Sequence, residues 1–546
     1  MNATPQHLVS FKACAFAASS NFFNGPVADR LSEYDHAICH AFAYKVKTHT
    51  TDKDFEKVPY AFPMDPPLPK IDRIRSRITF LSGIKPEIYD CCPNSCCCYT
   101  GSLRDLRECP YCNQPRYRAD GKSRKKFSYI PLIPRLVAFA GNQSMATKMQ
   151  YRDRDHKHMP GTKTDVFDGR NYQSLRRQGI ELRGQRLDRK YFADGRDVAL
   201  GLSTDGFAPF KRRKNTAWPL IIFNYNLPPE IRFHLENILA LGVIPGPKKP
   251  VDIDSFLWPL IQELYRLAAG VRAFDILSSK LFALRAFLIL AFGDIPAISM
   301  IMRMKGHNGI SPCRMCEIVG LRVPNSRATT HYVPLDRSQH PHVQADATQL
   351  YEASNLPLRT HDKLLAQAAQ VQSAMTNVNA DDLSKKFGIK GIPDLSYVPT
   401  LSFPSSFPYD FMHLIWENLV KNLVLLWTGE FKGLDDGTES YTLPKAIWEA
   451  IGTATATAGS TIPSAYGSRV PNIQTHRSQL SAEMWSFWTL YLGPVLLRRR
   501  FQHQKYYAHF IRLVRLLNIC LQFEITDDEI EEVRLGFIRW VEDYEE

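Results

Sequence analysis

"VALGLSTDGFAPFKRRK", residues 198–214, runs a short apolar stretch into a lone carboxylate, Asp205, follows it with Gly206 and then lays down four cations. Read by pattern, this is a buried strand that ends on an acid beside a glycine turn. Such an end can hold a metal ion against a phosphate, with the cations drawing the anion in. An ordinary hairpin with a solvated acid at its tip fits the same letters. The choice between the two depends on the rest of the chain.

Downstream, "WPLIIFNYNL" (218–227) and "NILALGVIP" (237–245) read as further strands, and "DIDSFLWPLIQELYRLAAG" (252–270) as a helix opened by an Asp cap. "FALRAFLILAFGDIPA" (282–297) is a buried helix or strand that stops at Gly293-Asp294. Strands followed by a β-α-β order predict an α/β core, and two of its elements end on an acid, Asp205 and Asp294. The most apolar long run, 282–302, contains Arg285 and Asp294 and makes a poor bilayer span. A soluble protein with no membrane partner is expected. "ACAFAASS" near the start is too short and too weakly apolar to read as a secretion signal.

The composition agrees. At 546 residues, 44% hydrophobic and 11% aromatic, the chain has the make-up of a packed protein of two to four domains rather than a disordered one. Its net charge of +13 favours a polyanionic partner, nucleic acid first and a membrane surface second. Lys and Arg concentrate in "KSRKK" (122–126), "RRQGIELRGQRLDRK" (176–190) and "KRRK" (211–214). Any one such run is commonly a solvated face. Three of them flanking Asp205 read as a track for a phosphate backbone, and the first or last also as a nuclear-localisation patch.

Seven of the twelve cysteines crowd into 91–112. Cys92-x3-Cys96 and Cys109-x2-Cys112 have the spacing of two knuckles around one Zn²⁺, although Cys91, Cys97 and Cys98 also stand close enough in sequence to serve. Cys313-x2-Cys316 is a second, separate pair. Further on, "FPYDFMHLIWENLVKNLVLLWTGEF" (407–431) reads as a helix with Phe411, Leu414, Ile415, Leu419, Leu423 and Trp427 on its buried stripe. Asp410, His413 and Glu417 share one side of that helix. "GTATATAGSTIPSAYGS" (452–468) reads as a flexible loop, and Thr526 with Glu529 as the capping box of a last helix.

Taken in order, "CPNSCCCYTG", "CPYCNQPRY", "STDGFAPF", "NLPPEIRFHLENILALGVIPGPKKPVDIDSFLWPLIQEL", "GDIPA", "SPCRMC" and "DFMHLIWENLV" resemble the CACTA-type (En/Spm-like) DNA transposases, in the form common in fungi. The resemblance runs over roughly residues 85–430. It implies a ribonuclease-H-like core in which three carboxylates and two Mg²⁺ or Mn²⁺ ions cut double-stranded DNA at transposon terminal repeats and transfer the strands, in the nucleus. Asp205 and Asp294 fall on the family's first two acids. Cys313 and Cys316 match the cysteine pair of a zinc site in a helical insertion. His413 and His476 are its candidate partners, a hydrogen-bonded structural histidine being the alternative at each. The family's third acid is a glutamate on a helix beyond the segment that "GFIRWVEDYEE" resembles, so the chain is expected to end before it, with Glu417, Glu542 and Glu545 as weak substitutes and impaired catalysis as the consequence. A homo-oligomer fits the resemblance as well.

The organisation expected on this reading is an N-terminal region of unknown fold (1–85), a zinc-ribbon-like module (86–120), a basic DNA-contact linker (121–195), the core with the first two acids (196–310), a mainly helical insertion with the Cys-x2-Cys zinc site (311–480) and incomplete C-terminal helices (481–546). Two other functions remain open. One is a non-catalytic zinc-containing DNA-binding protein derived from a transposase. The other is a zinc-ribbon RNA-binding protein, which would show aromatic stacking platforms in place of an acid pair.

Overall fold

The computed structural model describes residues 31–546 apart from 63–64, 66, 183, 210–214, 323–330, 342, 345–346, 432–437 and 468. Six strands make the central sheet: β1 (Glu87–Asp90), β2 (Lys126–Tyr129), β3 (Val198–Thr204), β4 (Ala217–Asn224), β5 (Leu239–Pro245) and β6 (Ala286–Phe292). Their order is β1-β2-β5-β4-β3-β6. β3, β4 and β5 form an antiparallel meander. The chain then crosses over through helix α1 (Asp254–Ala269) and returns as β6, parallel to β3, before entering the short helix α2 (Ile295–Ile301). A parallel neighbour requires such a crossover, because a tight turn can only reverse the chain.

Both faces of this sheet are covered, which explains why β3 and β6 read as nearly unbroken apolar runs. Val198, Leu200 and Leu202 face a core that holds Phe256, Leu257, Leu260, Leu264 and Leu267 of α1. Ala199, Phe287 and Ile289 face the opposite way, onto Phe167, Tyr172, Tyr191 and Phe192. Each fully buried large side chain of α1 contributes roughly 1.5–3 kcal/mol. Of the two buried acids on α1, Asp254 and Glu263, the latter is held by the backbone N–H groups of Leu132 (2.7 Å) and Ile133 (2.8 Å) and by the Tyr129 hydroxyl. The outer edge of β6 is not left open: Ala291 N donates to Ser406 O at 2.9 Å.

The 282–297 stretch therefore resolves as strand over Ala286–Phe292. Three other expectations change. Residues 121–195 are more than a linker, since Lys126–Tyr129 pairs into the sheet and Phe167–Phe192 roofs one of its faces. The cores do not divide at 310 and 480. Leu364, Ile389, Val398, Phe403 and Phe407 pack into the sheet core, whereas a second core gathers Ile415, Leu423, Trp427, Trp448, Trp485, Trp488 and Phe510. The 452–468 stretch is partly helical, because Lys445–Ala458 continues through it on alanine and on threonines whose hydroxyls bond back to carbonyls one turn earlier.

The helix read from 407–431 is present as a π-helical stretch, Met412–Leu419, continuing into an α-helical one, Val420–Trp427. Against the second core lie α3 (Gln504–Cys520) and α4 (Asp527–Glu545), and α4 opens on the reciprocal Thr526–Glu529 capping box. In the N-terminal region Glu33–Lys47 and Ile71–Ser82 pack through Ile38, Phe42, Ile74 and Ile78, with Arg77 ion-paired to Asp35 at 2.7 Å. Among the described residues no helix is long and apolar enough to cross a membrane.

Candidate functional site

The parallel pairing of β3 and β6 fixes where the two acids go. Ser203 lies opposite Phe292, so Thr204-Asp205 and Gly293-Asp294 leave the sheet side by side at the same end. Gly293 is required by this approach: a Cβ there would meet Thr204 O at 2.5 Å. Asp205 Oδ1 accepts from Gly206 N at 2.6 Å, and Asp294 Oδ1 caps α2 by accepting from Ala297 N at 2.6 Å. Both side chains are half-buried. Burial, and then the neighbouring charge of Asp294, push the Asp205 carboxyl above its usual range, against the lowering effects of the Gly206 N–H and of His413. A carboxylate pair held at one strand end with unrelieved repulsion is a site that gains from a hard cation.

His413 is the third group at this end of the sheet. Its Nδ1 is 2.7 Å from Asp410 Oδ2, and Asp410 Oδ1 accepts from Met412 N at 2.9 Å. The Asp410 contact orients the imidazole and leaves Nε2 as the ring nitrogen free of that pairing. Asp410 does not share a helix face with His413 as expected: it stands just before the helix and caps it, and it is His413 whose charge acts on Asp205. Glu417 on the same helix is paired instead with Lys421 at 2.6 Å. Glu545 accepts from Leu335 N (2.7 Å), and Glu542 receives the Glu546 N–H on its backbone carbonyl. Among the described residues no third His, Cys, Asp or Glu completes a metal-spaced group with Asp205 and Asp294.

Cys313 and Cys316 form a sulfur pair whose surroundings are not further ligands. Cys313 Sγ lies 3.4 Å from the Tyr409 hydroxyl and accepts from Met315 N and Cys316 N, each at 3.3 Å. The Cys316 thiol, Tyr409 and these N–H groups bring Cys313 down to about 5, against the opposing effect of burial. Arg314 stacks on Tyr409 at 4.0 Å and donates to Pro408 O at 2.6 Å, fastening the pair to the start of the His413 helix. His413 turns to Asp410 and Asp205, and His476 pairs through Nδ1 with the Thr475 hydroxyl at 2.7 Å. Neither histidine joins the two sulfurs in a metal-spaced group.

The other cysteine region does converge. Sγ atoms of Cys92, Cys96, Cys109 and Cys112 all lie within 4.8 Å of one another. Tetrahedral Zn²⁺ at a Zn–S bond of about 2.3 Å needs sulfurs roughly 3.8 Å apart, which this cluster can meet. Each pair sits on a tight knuckle turned by a left-handed residue, Ser95 (φ 65°) and Asn113 (φ 55°). Asn94 serves both knuckles, its backbone N–H donating to Cys92 Sγ at 3.3 Å and its side-chain amide to Cys112 Sγ at 3.5 Å. Burial raises Cys92 and Cys96, while Cys112 is drawn down to about 7 by the Gln114 and Asn94 N–H groups and the neighbouring thiols, in spite of burial. The structure thus separates cysteines that the sequence left equivalent. Cys91 and Cys98 pair through their backbones in an isolated antiparallel β-bridge, their thiols free, and join the sheet core, and Cys97 packs beside Cys109 at 3.9 Å.

Of the basic runs, "KRRK" lies outside the described residues. "KSRKK" is partly structural, since Lys125 donates to Pro93 O at 3.0 Å and to Ser95 Oγ at 2.8 Å. The 176–190 run forms a hairpin, Gly179–Leu182 with Gln185–Lys190, on which Arg176, Arg177, Arg186 and Lys190 are exposed. Arg498, Arg499 and Arg500 add a further exposed cluster that the sequence reading passed over, although three consecutive arginines were there to be seen.

Residues 181–340 match the family model described as transposase family tnp2. The match takes in Asp205, Asp294, Cys313 and Cys316 and supports a transposase-family protein. The four-cysteine module and His413 lie outside the matched residues. No curated protein matches the chain.

Proposed function

We propose that this chain is a transposase-derived, DNA-binding protein whose Asp205–Asp294 pair is the metal-binding centre for phosphodiester cleavage and strand transfer at transposon ends. The observation that carries the reading is the placement of the two acids on adjacent parallel strands, inside the matched segment. A three-stranded meander followed by a helical crossover to a strand parallel with the first supports a ribonuclease-H-like core. The CACTA-type resemblance supports double-stranded terminal repeats as the substrate and the nucleus as the place of action.

Asp205 and Asp294 are the residues that would hold Mg²⁺ or Mn²⁺, which supply activation of the attacking oxygen and charge stabilisation at phosphorus. The raised carboxyl of Asp205 keeps the pair receptive to a cation. Gly206 N–H and Ala297 N–H fix the carboxylate orientations. His413, its Nδ1–H donating to Asp410, presents the bare Nε2 of the neutral ring near the acids as a hydrogen-bond acceptor for an attacking water. The exposed arginines of the 176–190 hairpin give sequence-independent, salt-sensitive attachment to the DNA backbone.

The test is plasmid nicking with Mg²⁺ or Mn²⁺. Asp205→Asn and Asp294→Asn are expected to lower the rate at least about 100-fold while DNA affinity holds. A second reading, a non-catalytic zinc-containing DNA-binding protein, is favoured by the four-cysteine cluster standing beside an acid pair that no third carboxylate completes among the described residues. Equal silence of parent and variants, with steep salt-dependent DNA binding, would decide for it.

A further inference from the structure

Away from the acid pair, a cavity of about 530 Å³ opens where three parts of the chain meet: the cysteine module at Thr100–Leu103 and Tyr111, the first turns of α1, and the Asp394–Tyr397 turn. Three carboxylates, Asp252, Asp254 and Asp394, line it against one guanidinium, Arg303. In a chain of net charge +13 this is a local excess of negative charge. Asp254 is 4% exposed, and its Oδ1 has no hydrogen-bond partner among the described residues. Arg303 approaches only the other oxygen, Oδ2, and at 3.7 Å stands beyond hydrogen-bond distance. Burial, and then the charges of Asp394 and Asp252, hold the Asp254 carboxyl well above its usual range, against the lowering effects of Arg303 and of the Asp394 backbone N–H. A buried carboxylate oxygen without a donor costs on the order of 1–3 kcal/mol or more unless something supplies one.

The shape of the charge selects the donor. The oxygens of the three acids do not gather into a metal-spaced group, the four cysteines being the group so spaced among the described residues. Carboxylates spread around a cavity suit a cation with several N–H donors. The remaining walls suit an organic cation too. Trp258 is half-buried, and its indole lies 3.3 Å from where a Cβ on Gly101 would stand, so the glycine lets the ring pack flat against the module. Tyr111 and Tyr397, 47% and 53% exposed, stand at the mouth. Aromatic faces beside carboxylates attract ammonium and guanidinium groups.

We propose that this cavity binds a basic side chain of a peptide segment, an arginine guanidinium or lysine ammonium, between the carboxylates of Asp254 and Asp394 and the ring of Trp258. The site is independent of the acid pair and of DNA cleavage. It also rests on the cysteine module, because Cys96 O accepts from both Val251 N (3.0 Å) and Asp252 N (2.9 Å), and Cys98 N donates to Ser255 Oγ at 2.9 Å.

The experiment is calorimetric titration of the full chain with acetyl-Gly-Arg-Gly-amide, acetyl-Gly-Lys-Gly-amide, the neutral isostere acetyl-Gly-citrulline-Gly-amide, and MgCl₂. Saturable binding of the arginine or lysine peptide, at least about tenfold tighter than the citrulline peptide, is expected. The affinity should fall about tenfold or more in Asp254→Asn and in Asp394→Asn, and by less in Trp258→Leu. Asp394 is half-buried, and its variant keeps the test valid should Asp254→Asn fail to fold, as judged by thermal unfolding. Equal binding of the citrulline peptide, no binding of either charged peptide, or affinity unchanged in the folded variants would overturn the proposal. Mg²⁺ binding in place of the peptides, lost in the same variants, would overturn it in favour of an inorganic cation.

Discussion

Two regions of the molecule start from the same local motif and end differently. Cys109-x2-Cys112 and Cys313-x2-Cys316 each put two sulfurs on one turn with N–H groups pointing at them. The first pair meets a second pair across the β1–β2 excursion, and four sulfurs come within 4.8 Å. The second meets Tyr409 and Arg314, a phenol and a cation, and becomes an unequal thiol pair fastened to the His413 helix, Cys313 lowered and Cys316 raised by its hydrogen bond to Cys313 and by burial. The spacing of a Cys-x2-Cys turn creates half a metal site. Whether the other half arrives depends on what the fold delivers opposite it.

The largest effect that could break this comparison is metal removal. Chelation, or Cys109→Ser, is expected to destabilise the 86–129 region by several kcal/mol or more, since a structural Zn²⁺ contributes its binding energy to folding. Limited proteolysis with and without chelator would show selective cutting there, and unchanged resistance would remove zinc from the account. Next in size, Cys316→Ser should cost no more than about 1–2 kcal/mol by thermal unfolding, the loss of one buried hydrogen-bonding partner. Elemental analysis should give one zinc per chain in both parent and variant. Two zincs in the parent, falling to one in the variant, would mean that Cys313 and Cys316 recruit ligands after all.

The smallest effect sharpens the contrast by reactivity. A thiol lowered to about 5 is already a thiolate above that pH, so alkylation of Cys313 by iodoacetamide should rise between pH 4 and 6 and then level off, whereas an ordinary thiol keeps rising towards about 8.5. Cys112, brought to about 7 in the metal-free chain, should react near neutrality only after chelation. Mass-spectrometric mapping of the labelled cysteines separates the two. Cys313 labelling that still climbs at pH 8 would contradict the thiolate assignment.

Much of the fold was legible because its signals are local. The apolar runs of β3, β4 and β5, the stripe on α1 and the Thr526–Glu529 box each state their element within a dozen residues. The 282–297 run stayed ambiguous because a strand buried on both faces loses the alternation that distinguishes it from a buried helix. The 452–458 segment misled for the opposite reason: threonine and glycine read as loop, yet Trp448, Ile451, Gly452 and Thr455 are buried and hold the helix.

The sequence by itself determined that Asp205 and Asp294 end apolar elements, that four cysteines have zinc spacing, and that His413 and Glu417 lie on one helix, because backbone periodicity and ligand spacing are properties of neighbouring residues. Only the tertiary structure decided which groups face one another. Parallel pairing of β3 with β6 set the two acids side by side, Pro408 and Tyr409 met Arg314 and Cys313 while His413 turned to Asp410, and the docking of the cysteine module on α1 enclosed Asp252, Asp254 and Asp394 around one cavity. Those meetings join residues far apart in the chain, and packing, not sequence spacing, sets the distances between them.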